Sequence, residues 1–203
     1  MLHSKTLLWG LVLALGAACS GESEPDVKVT PLPDAAASRV ERVLPKSGEV
    51  WGRDLAAALA LDEFELCREL GTEDCIREAH RITMGGMEPE RLGIDEPLEN
   101  ALVSAPIAFE RVAISACGVR YDRDGEGTPV LFGAVRSSDT LQARQEVSEN
   151  LVRRLLARQP TQVDLDALEG LHGALSPISD DLVRDWSVGA CVVVATSTEA
   201  LFY

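Results

Sequence analysis

The acidic run Asp122-Arg123-Asp124-Gly125-Glu126-Gly127 has the residue types to hold a hard cation. Carboxylates at alternating positions, with a glycine beside them, are how calcium loops aim several oxygens at one ion. A complete EF-hand loop also needs an acid at its twelfth position, and counting from Asp122 that position is Gly133. Asp122, Asp124 and Glu126 are therefore candidate calcium ligands in an incomplete loop, and a solvated polar turn is the competing reading. Beyond His3, the histidines are His80 and His172. His80 follows Cys67 and Cys75, and the three together suggest a zinc set. The seven residues between the cysteines exceed the usual spacing of about two to four, which favours a disulfide instead. His172, beside Gly173, reads as a helix-end residue that complements the negative end of the helix dipole. Adjacent acids such as Asp62-Glu63 and Asp180-Asp181 are raw material for a carboxylate-pair hydrolase, but they fit helix starts and helix faces more simply. The sequence has no haem-attachment CxxCH, CxxC, HExxH, GxSxG, phosphate loop or intact dinucleotide fingerprint, so no catalytic residue is assigned.

The remaining reactive residues are cysteines, and the first of them explains the N-terminus. Met1 to Lys5 is basic, Thr6 to Leu15 is apolar, and Gly16-Ala17-Ala18 is a run of small residues, the three-part order of a secretory signal. An apolar stretch of about ten residues falls well short of the roughly twenty that a spanning helix needs. Small residues directly before Cys19 resemble the lipobox of bacterial lipoproteins. Gly16 departs from that pattern, since an aliphatic residue is usual three positions before the cysteine and the leucine here is Leu15. The resemblance implies removal of residues 1–18, a diacylglyceryl group on Cys19, and acylation of the new amine. Two acyl chains already give stable membrane attachment. Ser20, rather than an aspartate, follows the cysteine, which by resemblance to lipoprotein sorting favours the outer membrane.

Five cysteines are an odd set for an oxidising compartment. With Cys19 lipidated, Cys67, Cys75, Cys117 and Cys191 remain and can pair completely. Three connectivities are possible; Cys67 and Cys75 flank a short turn, which favours Cys67–Cys75 with Cys117–Cys191. Loss of residues 1–18 removes Lys5 and no acid, taking the formal charge from −14 to −15. So acidic a chain is not expected to bind nucleic acid, and membrane contact should come from the lipid anchor.

The elements follow from periodicity and punctuation. Ser20 to Val50 holds Pro25, Pro31, Pro33 and Pro45 with no sustained apolar period, so residues 19–50 read as a lipidated N-terminus and flexible linker. Residues 51–203 read as a single, mainly α domain braced by one or two disulfides. The expected helices are Asp54 to Leu70, ended by Gly71, and Thr72 to about Ile82, stopped by Gly85-Gly86. Met87 to Glu99 reads as a loop and Asn100 to Ser104 as a short helix. Pro106 opens a helix to about Arg120, Tyr121 to Thr128 is a polar turn, and Val130 to Val135 is an unassigned apolar run. Ser138 caps a helix to about Arg158, which Pro160 ends. Thr161 and Asp164 have capping-box spacing for a helix through Leu171. Ser179 opens the last helix, Leu182 to about Leu201, whose middle, Ala190 to Ala195, is apolar all round and so belongs to the core.

The segment Leu151 to Thr161 with Asp164 and Leu165 is similar to the helix-break-helix of large secreted, cytochrome-linked envelope proteins of unknown function. The ending Thr196 to Tyr203 resembles their helix end, with Thr198 and Ala200 where proline and phenylalanine are usual. This resemblance implies an envelope helical module and carries no catalytic residue with it. Three functions follow as expectations. The first is a non-catalytic, membrane-anchored scaffold that docks on another exported envelope protein and needs no cofactor. The others are a ligand- or calcium-binding lipoprotein, and a hydrolase using an unrecognised carboxylate pair.

Overall fold

In the computed structural model, residues 44–96 and 102–203 are described, and they belong to one compact, mainly helical unit. The expected signal peptide, Cys19, most of the linker and the start of the expected Asn100 to Ser104 helix lie outside the described residues. The folded chain includes the last positions that composition assigns to the linker. Pro45 pairs with Phe202, and Tyr203 N–H donates to the Leu44 carbonyl at 3.1 Å, so the two ends of the described unit lie side by side.

Helix α1 (Gly48–Leu59) starts on the Ser47 hydroxyl, which accepts from Val50 N–H, and carries Glu49 in its first turn. It ends at Ala60, whose backbone is left-handed. The expected helix from Asp54 to Leu70 is therefore split. Asp62 restarts the chain with a capping box over a short 3₁₀ turn, Glu63–Glu65, and a two-stranded ribbon follows. Strand β1 (Arg68–Glu69) pairs antiparallel with β2 (Glu73–Asp74) around Leu70 and Gly71, both at positive φ. Asp74 then caps a single π-turn, Cys75–Ala79, by accepting from Ile76 and Arg77 N–H, in place of the expected second helix. The cause is local: aspartate side chains at positions 62 and 74 take main-chain donors that a continuous helix would use itself. Helix α2 (Pro89–Leu92) is a short turn inside the expected loop.

Helix α3 (Ala105–Glu126) is longer than expected and absorbs the expected polar turn. Its buried positions, Ala105, Ala108, Phe109, Val112, Ala113, Ala116, Cys117, Arg120, Tyr121 and Asp124, recur at three- and four-residue intervals on one face. Ile107 and Ile114, which look like core in the sequence, point outward and are more than half exposed. The inward face carries four alanines, Ala105, Ala108, Ala113 and Ala116, and α3 lies against α7 (Leu182–Ala195), where Ala190, Cys191, Val194 and Ala195 are buried. Small residues on both surfaces allow the backbones to approach closely. Val193 is half exposed, so the last helix is central on one side and not apolar-packed all round. It also stops at Thr196, and α8 (Thr198–Leu201) is a separate turn.

Helix α4 (Gly133–Ser137) takes up the second half of the unassigned apolar run, while residues 130–132 stay in the loop before it. Helix α5 (Leu141–Leu156) begins on Thr140 rather than Ser138, since the Thr140 hydroxyl accepts from Ala143 N–H. Helix α6 (Gln162–Leu175) has the expected Thr161–Asp164 capping box and runs a turn further than expected. Helix α7 packs on α3, α5, α6 and α8, which makes it the axis of the bundle, while α1 lies on α3 and α5. Two tryptophans bolt the layers together. Trp51 donates to the Ala195 carbonyl at 3.0 Å and meets Phe109 edge-on, and Trp186 donates to the Leu168 carbonyl at 2.9 Å. Each buried indole thus satisfies its single donor.

Candidate functional site

All four cysteines of the domain pair as the short turn favours. Cys67 and Cys75 close the ribbon with Cα atoms 5.5 Å apart. Cys117 and Cys191, 5.9 Å apart at Cα, join α3 to α7 at the centre of the core. A zinc set of Cys67, Cys75 and His80 is thereby ruled out in this state, because both thiolates are consumed in a bond. His80 turns instead to Glu69, at 3.0 Å from Nε2, and Glu69 also takes Arg111 of α3.

The candidate calcium ligands are not brought together. On a helix, residues two apart point nearly opposite ways, and α3 places Asp122 and Glu126 outward while Asp124 is buried. Asp122 faces Arg184 at 3.6 Å. Asp124 accepts from Val130 N–H at 2.8 Å, Leu131 N–H at 2.9 Å and Phe132 N–H at 2.7 Å, and pairs with Arg120 Nη2 at 2.8 Å. Its side chain is fully enclosed, and the three N–H groups do for it what a cation would do. Asp124 is therefore an anchor that ties the 127–132 loop to α3. Its partner Arg120 continues the knot into α1. Its Nη1 faces the Leu59 and Ala60 carbonyls at 3.4 Å each, and Arg154 of α5 donates to the Ala58 carbonyl at 2.6 Å. The carbonyls at the end of α1, which has no basic residue in its last turn, are capped by arginines from two other helices.

A second cluster, not singled out by the sequence, joins α5 and α6. Arg144 grips Glu169 with two hydrogen bonds, at 2.9 and 2.7 Å, and Asp139 with a third at 2.7 Å. His172 Nε2 lies 3.2 Å from Asp139 and its ring stands edge-on to Trp186. Burial by itself pushes the Asp139 carboxyl up, but hydrogen bonds from Arg144 and His172 outweigh it and hold the group below its ordinary value. The Glu169 carboxyl is lowered first by its Arg144 bonds, against an opposing effect of burial. The Arg144 guanidinium is raised, chiefly by Glu169. At the start of α6, Arg158 and then Thr161 N–H hold Asp164 far below the usual carboxylate range.

No family model, curated protein or solved structure matches the chain. The site must be read from its own geometry. Both histidines among the described residues are engaged by carboxylates that arginines hold in turn, so each cluster ties elements together. An apolar cleft lies between α5, α6, α7 and α8, lined by Val152, Leu156, Leu168, Val193 and Val194 and rimmed by Arg158 and Glu199. Sequence reasoning missed it because each of four successive helices contributes only a few residues to it. No helix among the described residues is long and apolar enough to cross a membrane.

Proposed function

We propose that this chain is an exported, lipid-anchored interaction module without catalytic activity of its own. Cys19 carries the lipid in the cell envelope, with the outer membrane favoured, residues 20–43 space the domain from the bilayer, and the acidic helical domain docks on another exported protein. The observation that carries the reading is the use of the cysteines. Of the five, four are joined in two bridges, and the one outside them stands directly after a signal-like segment. Structural disulfides form and persist in oxidising compartments, which supports export and leaves Cys19 for another chemistry. The charge supports the choice of partner: a strongly acidic surface repels nucleic acid and anionic lipid and favours a basic protein face.

The test compares the intact chain with Cys19→Ala in the producing cell. Metabolic labelling with an alkyne fatty acid should mark the intact chain only, and the variant should move from the membrane to the soluble fraction. Cross-linking before gentle solubilisation should capture a defined exported partner with the intact chain. An unlabelled intact chain, or equal membrane retention of both forms, overturns the anchor. Clean recovery as a lone monomer overturns the interaction role.

A further inference from the structure

Helix α3 keeps one face that no other element among the described residues covers. Its other sides pack on α1, α4 and α7, and Arg111 leans toward the ribbon at Glu69. On the free side Ile107 is 67% exposed and Ile114 55%, and Val103, in the turn just before the helix, is 97% exposed. At about 100° per residue, Ile114 and Gly118 fall within about 20° of Ile107, on one line along the helix. Apolar side chains exposed singly are ordinary; apolar side chains in line along a helix are how helices meet. Gly118 is a second anomaly. Glycine within a helix lowers its stability relative to alanine, yet a Cβ at Gly118 would meet nothing within 4 Å. Among the described residues there is no packing reason for the glycine; another backbone drawing close to this line would supply one.

The flanks of that line select the occupant. Glu110 lies about 60° to one side and Arg111 about 40° to the other, and both are exposed. Glu110 meets no cation among the described residues. Arg111 is bound to Glu69 through Nε at 2.6 Å and Nη2 at 2.8 Å, which leaves Nη1 as a further donor. When two identical helices lie parallel about a two-fold axis, the left flank of each meets the right flank of the other, as the e and g positions do in parallel coiled coils. A second copy of α3 in that arrangement sets Glu110 against the second copy's Arg111, twice by symmetry, with isoleucine on isoleucine and Gly118 letting the backbones close in. In an antiparallel pair like flanks meet, and Glu110 faces Glu110. The chain is strongly acidic overall, but this strip holds one acid and one base and is neutral.

We propose that the outer face of α3 is a self-association surface, on which two copies of this chain pair in parallel through Ile107, Ile114 and Gly118 with reciprocal contacts between Glu110 and Arg111. One helix face is narrower than the roughly 800 Å² per partner of a standard interface, so the dimer is weak and exchanging. It does not depend on the lipid anchor or on another exported protein, so the purified full chain with Cys19→Ser is the material tested. In about 0.15 M salt, which screens the overall charge, sedimentation should show the mass rising toward twice the monomer as protein goes from about 1 μM to about 1 mM. Ile107→Lys, an exposed change to a good helix former, should keep the fold and stay monomeric. Glu110→Arg and Arg111→Glu should each weaken association about tenfold by setting like charges together, and an equimolar mixture of the two should recover the parent dimer. Ile107→Cys should cross-link to itself on mild oxidation, since the two-fold axis brings both copies of that position together, while Val163→Cys, exposed on α6, should not. A monomer throughout, association retained by folded Ile107→Lys, a mixture no stronger than its separate members, or no cross-link at Ile107→Cys overturns the proposal.

Discussion

Asp124 shows how far one side chain's role depends on where its backbone runs. In sequence it sits between two other acids and beside a glycine, a pattern shared by cation loops and polar turns. In the structure the helix continues through it, turns its neighbours to solvent and leaves Asp124 enclosed, with main-chain donors and Arg120 as its partners. Removing one member of a buried, hydrogen-bonded ion pair strands the other, which typically costs about 3–5 kcal/mol. Asp124→Ala should therefore lower stability by about that amount, read as a drop in urea midpoint at unchanged slope. Glu126→Ala, two residues on and at an exposed position, should change it by less than about 0.5 kcal/mol. Equal effects for the two variants would show that the knot does not hold the loop. Nothing in the local sequence distinguishes these acids; the distinction arises when the 130–132 N–H groups fold back onto the end of α3.

At the scale of elements, the two disulfides do unequal work. Cys67–Cys75 spans a separation of 8 residues and Cys117–Cys191 spans 74. The loop-closure account gives about 2.5 kcal/mol for the short one and about 4.5 kcal/mol for the long one. Cys117→Ala with Cys191→Ala should thus lower the thermal midpoint more than Cys67→Ala with Cys75→Ala, and the reverse order would contradict the central role of the α3–α7 contact. The α5–α6 junction carries the pH dependence. The Asp139, Glu169 and Asp164 carboxyls are held below their unfolded values. Groups depressed in the folded state contribute stability that is fully present above the unfolded carboxylate range near pH 4 and is lost as pH falls through their folded values. Denaturation midpoints followed from pH 7 to pH 3 should fall, and Arg144→Gln should flatten the dependence because Asp139 and Glu169 lose their common partner. A variant as acid-sensitive as the parent would place the linkage elsewhere.

For the whole molecule, charge and chain order are the governing features. Every lysine and arginine among the described residues meets a carboxylate or a main-chain carbonyl. The exposed Glu73, Glu90, Glu110, Glu126 and Glu146 have no cationic partner among the described residues, so the surface offers acid in excess. Partner capture in the Cys19 comparison should accordingly weaken as salt is raised from low to high ionic strength, since exposed charges are screened beyond about 10 Å at 0.1 M. Capture that is indifferent to salt would point to an apolar interface instead.

The sequence by itself determined the mainly α class, the α6 capping box, the existence of a break between α5 and α6 and the favoured cysteine pairs, because each rests on residues within a few positions of one another or on simple counting; the break itself comes at the left-handed Ala157, ahead of Pro160. It determined the N-terminal expectation for Cys19 in the same way. Tertiary structure decided the rest. Ile107 and Ile114 face outward while alanines face inward, because α7 comes close enough to reward small residues over large ones. The expected helix hairpin became a ribbon and a π-turn, because Asp62 and Asp74 found main-chain donors nearer than the next helical turn. Arg120 and Arg144 gained their parts from elements far off in sequence, and contacts of that range leave no periodicity to read.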